Sequence, residues 1–214
     1  AQDAAAALPA RVLGAVAGRR VADLCAAPGG KTAQLAAAGA EVWAVDLSAE
    51  RLERLEANLK RLKLNANIVA ADAAAWAPGM AFEGVLLDVP CLATGTIRRH
   101  PDLIRLKRPS DLPRLVELQA RLLDNALSLV APGGRLVYAC CSLEPEEGVR
   151  QIERALAQHA DFARIPIDPS ELGADPAWIT PEGDLRTLPF HLPADPPEIG
   201  GMDGFYTARL ERLR

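Results

Sequence analysis

Short, almost wholly apolar runs alternate along the first two thirds of the chain with stretches whose leucines recur every three or four positions. Arg20 to Ala26, Glu41 to Asp46, Asn67 to Asp72, Gly84 to Asp88 and Arg135 to Cys141 read as strands. Continuous rather than alternating apolarity is what strands need when helices cover both faces of a parallel sheet. Leu52, Leu55, Leu59 and Leu62 mark one face of a helix that Ser48 can cap. Pro113 suits a helix first turn, and Leu115, Leu118, Leu122 and Leu129 continue its apolar side until Pro132-Gly133-Gly134 stops it. Glu144 to His159 reads as a further helix with acids clustered at its start, where the helix dipole favours them. Beyond Asp161 prolines become dense, and Gly204 to Leu210 returns as a strand. The pattern predicts an open α/β sheet with a loop-rich tail closing it, and no repeat.

Composition narrows the class. The 214 residues, half of them apolar and a quarter charged, suffice for one domain with a full core and exclude disorder and disulfide scaffolds. No apolar run approaches the roughly 18 residues of a membrane helix. Cys25, Cys91, Cys140 and Cys141 form no C-x-x-C pair, and His100, His159 and His191 lie far apart. The expectation is therefore reduced thiols, no metal, no membrane and a cytoplasmic, monomeric protein. The start Ala1-Gln2-Asp3 has no Met and no signal-peptide pattern, which suggests a piece of a longer protein.

The first strand runs through Asp23-Leu24-Cys25-Ala26-Ala27-Pro28 into Gly29-Gly30-Lys31-Thr32, a glycine turn before a helix. In open α/β sheets ligands sit at such carboxyl ends. Gly30-Lys31-Thr32 mimics the end of a phosphate-binding loop, but the loop's first glycine would be residue 25, which is Cys25. Asp46, 16 residues past Gly30, ends the second strand, where a carboxylate can accept both hydroxyls of a ribose. Asp72, at the third strand's end, can accept from an adenine amino group or cap a turn. Together these features point to S-adenosylmethionine, whose sulfonium suits neighbouring carboxylates. A plain strand-to-helix turn remains the bland alternative.

The fourth strand ends Asp88-Val89-Pro90-Cys91 and the fifth Cys140-Cys141-Ser142. If the two strands are neighbours, Cys91 and Cys141 come near the same cleft. Period two turns Cys140 the other way, into the core. Cys25 reads as packing or as lining of the cofactor pocket.

These segments, with Thr94-Gly95-Thr96-Ile97-Arg98-Arg99-His100-Pro101-Asp102 and Tyr138 to Leu143, resemble the RNA 5-methylcytosine methyltransferases, particularly the bacterial small-subunit ribosomal RNA methyltransferase B branch. The resemblance covers nearly the whole chain and departs at Val89, Leu92 and Cys140, where the family has Ala, a small residue and Thr. It implies a single catalytic domain over 1–214 with the class I S-adenosylmethionine-dependent methyltransferase fold, a Rossmann-like, mostly parallel seven-stranded sheet with helices on both faces. In this branch the catalytic core usually follows a separate N-terminal RNA-binding domain. The resemblance further implies Cys141 as nucleophile on cytosine carbon 6, Cys91 in product release, Asp88 near ring nitrogen 3 and Lys31 as a nearby cation. The cofactor set becomes Cys25, Ala26, Ala27, Pro28, Gly29, Gly30, Lys31, Asp46, Asp72 and Asp88. Lys31 reads almost equally as a solvated first-turn lysine.

The formal charge of −4 is unusual for an RNA enzyme. Ile97 to Arg114 nevertheless carries Arg98, Arg99, Arg105, Lys107, Arg108 and Arg114 against Asp102 and Asp111, a stretch that can hold phosphates. Ribosomal RNA is the favoured substrate and transfer RNA the second. The competing classes are a P-loop-like nucleotide-binding phosphotransferase or hydrolase and a non-catalytic RNA-binding module.

Overall fold

A computed structural model describes residues 2–196 and 200–214. In chain order the elements are α1 (Ala4–Val12), β1 (Arg20–Leu24), α2 (Gly30–Ala37), β2 (Glu41–Asp46), α3 (Ala49–Leu62), β3 (Asn67–Ala70) and β4 (Phe82–Asp88). There follow α4 (Leu103–Leu106), α5 (Leu112–Ser128), β5 (Val130–Cys140), α6 (Val149–Gln158), β6 (Phe162–Arg164), α7 (Pro169–Leu172), β7 (Leu185–Thr187) and β8 (Phe205–Arg212). Short 3₁₀ turns lie between several of them.

The sheet runs β3-β2-β1-β4-β5-β8-β6, parallel from β3 to β5, with β8 antiparallel to β5 and β6. The path has the seven strands that the resemblance implies; six lie where the apolar pattern puts them, and the seventh, β6, is one the pattern does not mark. An eighth, β7, pairs with Phe205–Thr207 on the edge of β8 that β6 uses further along. Neighbouring residues of β4 feed opposite faces. Val85 and Leu87 pack with Leu122, Leu123, Ala126 and Leu127 of α5 and Ile152 of α6, whereas Leu86 packs with α1 and α2 through Leu8, Val12 and Leu35. Each such fully buried leucine contributes ~1.5–3 kcal/mol. Leu52, Leu55 and Leu59 of α3 close over Ala26 and Ala44, as their spacing predicts.

Two boundaries differ from the pattern. Helix α5 stops at Ser128, because Val130 already pairs with Phe82 and is wholly buried. Pro132-Gly133-Gly134 forms an irregularity inside β5, with Gly133 at φ 72°, where the register shifts between Phe82 and Gly84. The expected helix from Glu144 is a 3₁₀ turn (Pro145–Glu147) followed by α6. The break at Gly148 lets the Tyr206 ring lie where a side chain would stand, and the Tyr138 hydroxyl donates to the Glu147 carbonyl at 2.6 Å.

Candidate active site

Register decides what meets at the carboxyl end of the sheet. Asp88 pairs with Ala139, and the Val89 N–H still donates to the Ala139 carbonyl at 3.0 Å, so β4 and β5 leave the sheet at one level. Cys91 then lies three residues past one strand's end and Cys141 one residue past the other's. Their loops are sewn together. Gly95 N–H donates to the Cys141 carbonyl (3.0 Å), Leu143 N–H donates to Thr94 Oγ1 (2.8 Å), and Thr94 Oγ1 lies 3.2 Å from Ser142 Oγ. A Cβ on Gly95 would sit 2.0 Å from the Gly204 carbonyl oxygen, so this close approach requires glycine. The result is a Cys91 Sγ to Cys141 Sγ separation of 3.4 Å. Cys91 is buried, Cys141 half-buried, and Cys140 wholly buried in the same core cluster as Cys91.

Both thiols are held protonated. Cys141 is pushed far above the ordinary thiol range by its hydrogen bond with Cys91 and by burial, and Lys31 opposes that shift. Cys91 is raised through its contact with Cys140, which outweighs the lowering by Cys141, and by burial. Lys31 is not a solvated lysine. Its Nζ lies 2.6 Å from Asp88 Oδ2 and 5.2 Å from the Phe205 ring centre. Burial works against its ammonium, but the Asp88 charge and hydrogen bond outweigh that and raise its pKa. With Lys31 committed to Asp88 and Cys25 in place of the first glycine, the phosphate-loop alternative lacks its free cation.

In the cradle, Cys25 turns the chain at φ 61° and Gly29 caps α2 at φ 95°. A Cβ at Gly29 would meet Leu55 Cγ at 2.7 Å, so Ala26-Ala27-Pro28-Gly29-Gly30 lies tight against α3. Asp46 is 2% exposed and braces this turn. Its Oδ2 accepts from Ala27 N–H (3.1 Å), its Oδ1 from Ser48 N–H (3.0 Å), and Arg51 pairs with it while also donating to the Ala27 carbonyl. The carboxylate expected to face a ribose thus already carries protein donors, of which the exposed Arg51 side chain is the one free to leave. Asp72 lies beyond the end of β3 and accepts from Ala74 N–H at 2.9 Å. It is exposed and caps its own turn, so its geometry supports the turn reading rather than an adenine contact. Burial, helped by Asp46 and Asp88, pushes the Cys25 thiol up to about 12, consistent with a lining role.

Three participants escaped the sequence reading. Asp23, an acid inside an apolar strand, is 1% exposed; its Oδ2 accepts from Thr32 Oγ1 at 2.6 Å, and its Oδ1 has no partner among the described residues. Burial raises its pKa to about 7. Leu47, directly after Asp46 at the carboxyl end of β2, is an exposed large apolar side chain. Arg186, on the unforeseen β7, donates to the Ser142 and Leu143 carbonyls at 2.9 Å each and so holds the loop after Cys141. An orphaned buried carboxylate oxygen, with Asp46 and Asp88 also acting on Cys25, fits a ligand carrying a positive centre and hydroxyl or amine donors, as S-adenosylmethionine does.

The basic stretch divides. Arg98 pairs with Asp3 (2.6 Å) and Asp203 (3.4 Å), and Arg99 Nε donates to Asp203 (2.9 Å), so both tie the chain's start to its tail. This corrects their assignment to phosphate. Among the described residues the side chains of Arg105, Lys107, Arg108 and Arg114 form no ion pair, and they lie with the exposed Ile104 and Leu106. Leu92, the bulky departure from the family pattern, is buried. A cavity of about 550 Å³ lined by Gly18, Gly39, Glu41 and Asn67 opens at the amino ends of β2 and β3, away from the thiols. Among the described residues no three His, Cys, Asp or Glu side chains are grouped to hold a metal, and no helix is long and apolar enough to cross a membrane.

The chain is similar to proteins of known family. The family described as 16S rRNA methyltransferase RsmB/F matches residues 10–211. The ribosomal RNA small subunit methyltransferase B of Pseudomonas syringae pv. tomato is 42% identical over 218 residues, covering 99% of this chain and 47% of that protein. Two solved structures are similar. The methyltransferase homolog protein from Pyrococcus horikoshii has 31% identity and a TM-score of 0.77, covering 99% of this chain and 67% of that one. NSun6 from Pyrococcus horikoshii with SFG has 26% identity and a TM-score of 0.80, covering 100% and 53%. The chain spans about half the length of the curated relatives it matches.

Proposed function

Since this chain belongs to the RsmB/F family of 16S rRNA methyltransferases, with the class I S-adenosylmethionine-dependent methyltransferase fold, we propose that it methylates carbon 5 of a cytosine in 16S ribosomal RNA. The observation that carries this reading is the pair of thiols 3.4 Å apart beside the Lys31–Asp88 ion pair.

Cytosine carbon 5 is a poor nucleophile until a thiolate adds at carbon 6 and makes it enamine-like. Cys141 supplies that sulfur, and Lys31 is the side chain that favours its ionisation. Addition places negative charge on the ring. Lys31, hydrogen-bonded to Asp88, is a source from which Asp88 can relay a proton to ring nitrogen 3. When bound, S-adenosylmethionine supplies the methyl group and a positive sulfonium. Cys91, in contact with Cys141, stands where its thiolate, formed by release of its own proton to solvent, can take the proton from carbon 5; the electron pair of that bond restores the ring double bond and the bond between Cys141 and carbon 6 breaks, leaving Cys141 as thiolate. Cys25 to Lys31, with Asp46 and Asp88, hold the cofactor in this reading.

Arg105, Lys107, Arg108 and Arg114 contact phosphates. The four unpaired cysteines suit a reducing compartment such as the cytoplasm, where this reading has the protein act. Mapping 5-methylcytosine in 16S ribosomal RNA from cells with and without the gene tests the reading. One cytosine should lose its methyl group and regain it on complementation by the wild type but not by Cys141→Ala. Unchanged 16S methylation, or loss confined to transfer RNA, would contradict the assigned substrate.

A further inference from the structure

Cys91 sits in a loop without regular structure, yet its position is fixed from both sides by buried groups that the chemistry above does not use. Glu147 is 0% exposed, and its two carboxylate oxygens lie 3.1 and 3.2 Å from the Leu92 N–H. Gln119, also 0% exposed, donates from Nε2 to Glu147 Oε1 (2.8 Å) and to the Pro90 carbonyl (2.9 Å). The carbonyl before Cys91 and the amide after it are therefore held by one side-chain pair.

Three further features show that this pair is itself held. The Tyr138 hydroxyl donates to the Glu147 carbonyl, fixing the short turn that carries Glu147 against β5, the strand leading to Cys141. Gln119 stands on α5, in the middle of a long helix packed on the sheet. Its Oε1 has no partner among the described residues. Reversing the amide would set that oxygen against two acceptors, so the orientation that serves Pro90 and Glu147 is kept although an acceptor stays unpaired.

We propose that Glu147 and Gln119 are positioning residues for Cys91. They hold its peptide frame so that its sulfur stays in contact with Cys141 and can reach the proton on carbon 5. This rests on the reading of Cys91 as the releasing thiol. Both side chains are fully buried, so they act through the Cys91 loop rather than on the base.

The test uses Glu147→Gln and, as an independent variant, Gln119→Met in the intact protein. Glu147→Gln sets an amide donor against Leu92 N–H or Gln119 Nε2, and Gln119→Met keeps bulk while removing both hydrogen bonds. Two readouts are taken. Amide exchange by NMR should show Leu92 exchanging at least tenfold faster in Glu147→Gln, with Val89 and Gly95 still protected as in the wild type. On a denaturing gel with substrate RNA, both variants should accumulate covalent protein–RNA adduct at least fivefold over the wild type. A merely structural defect would instead lower adduct formation and turnover together. Unchanged Leu92 exchange, protection abolished equally at Val89 and Gly95, or release at the wild-type pace would overturn the proposal. Cys91→Ala run in parallel separates the two claims. Normal turnover in that variant would remove the release role of Cys91, while Leu92 exchange would still decide whether Glu147 holds the loop.

Discussion

Lys31 Nζ and Asp88 Oδ2 meet at 2.6 Å, although one residue opens α2 and the other ends β4. The parallel register that pairs Leu24 with Leu87 brings these two strand ends together, so the ion pair follows from the order of the sheet. It also places a positive charge close enough to Cys141 to oppose the hydrogen bond and burial that keep its thiol protonated.

A second positive charge should act in the same direction. A unit charge several Å from the sulfur is worth ~1–3 kcal/mol at an effective dielectric constant of ~20. Iodoacetamide labelling of Cys141, mapped by mass spectrometry near neutral pH, should be about tenfold faster with S-adenosylmethionine bound than with S-adenosylhomocysteine, which has the neutral thioether. Lys31→Met should slow labelling in both states. Equal rates with the two ligands would show that the sulfonium does not act on this thiol.

Asp23 makes stability depend on pH in a defined direction. Burial raises its pKa from 3.8 to about 7, so between those values the folded state binds a proton that the unfolded state has released. The contribution is full below 3.8 and disappears as pH rises through 7, a change of at most about 4 kcal/mol. Asn at this position does not titrate. The melting temperature of Asp23→Asn relative to the wild type should therefore climb between pH 4 and pH 8, by up to about 10 °C for a domain of this size. Parallel curves would mean that the carboxyl is not desolvated.

The two halves of the basic stretch should behave differently with RNA. Replacing Arg105, Lys107 and Arg108 together by Ala should weaken binding and reduce the slope of log affinity against log salt by about 0.7–0.9 for each phosphate that is no longer neutralised. Arg98→Ala should lower thermal stability, because Asp3 and Asp203 are then left without that cation, and leave the salt slope unchanged. Fluorescence anisotropy across a salt series separates these outcomes.

Much of this fold is legible in the sequence because a parallel strand buried on both faces must be apolar throughout, as Val85-Leu86-Leu87 is. Strands β6 and β7 escape, since three residues carry no period and their pairing depends on β8, some 20 to 50 residues away. The convergence of Cys91, Cys141 and Asp88 is legible because strand ends place them, whereas Lys31, in the first turn of α2, is singled out only by the resemblance. The brace around Asp46 and the capture of Arg98 and Arg99 are not, because their partners are distant in sequence and nothing local distinguishes a paired arginine from a free one. Arg186 combines both difficulties, lying on a strand without a period and acting on a loop 43 residues away.

The most direct measurement of the two-thiol chemistry is the covalent species itself. Purified wild type, Cys91→Ala and Cys141→Ala are each incubated with S-adenosylmethionine and substrate RNA and resolved on a denaturing gel. Cys91→Ala should retain a shifted protein–RNA band whose peptide linkage maps to Cys141, and Cys141→Ala should form no such band and transfer no methyl. Methyl transfer by Cys141→Ala at the wild-type rate would contradict covalent catalysis by this pair.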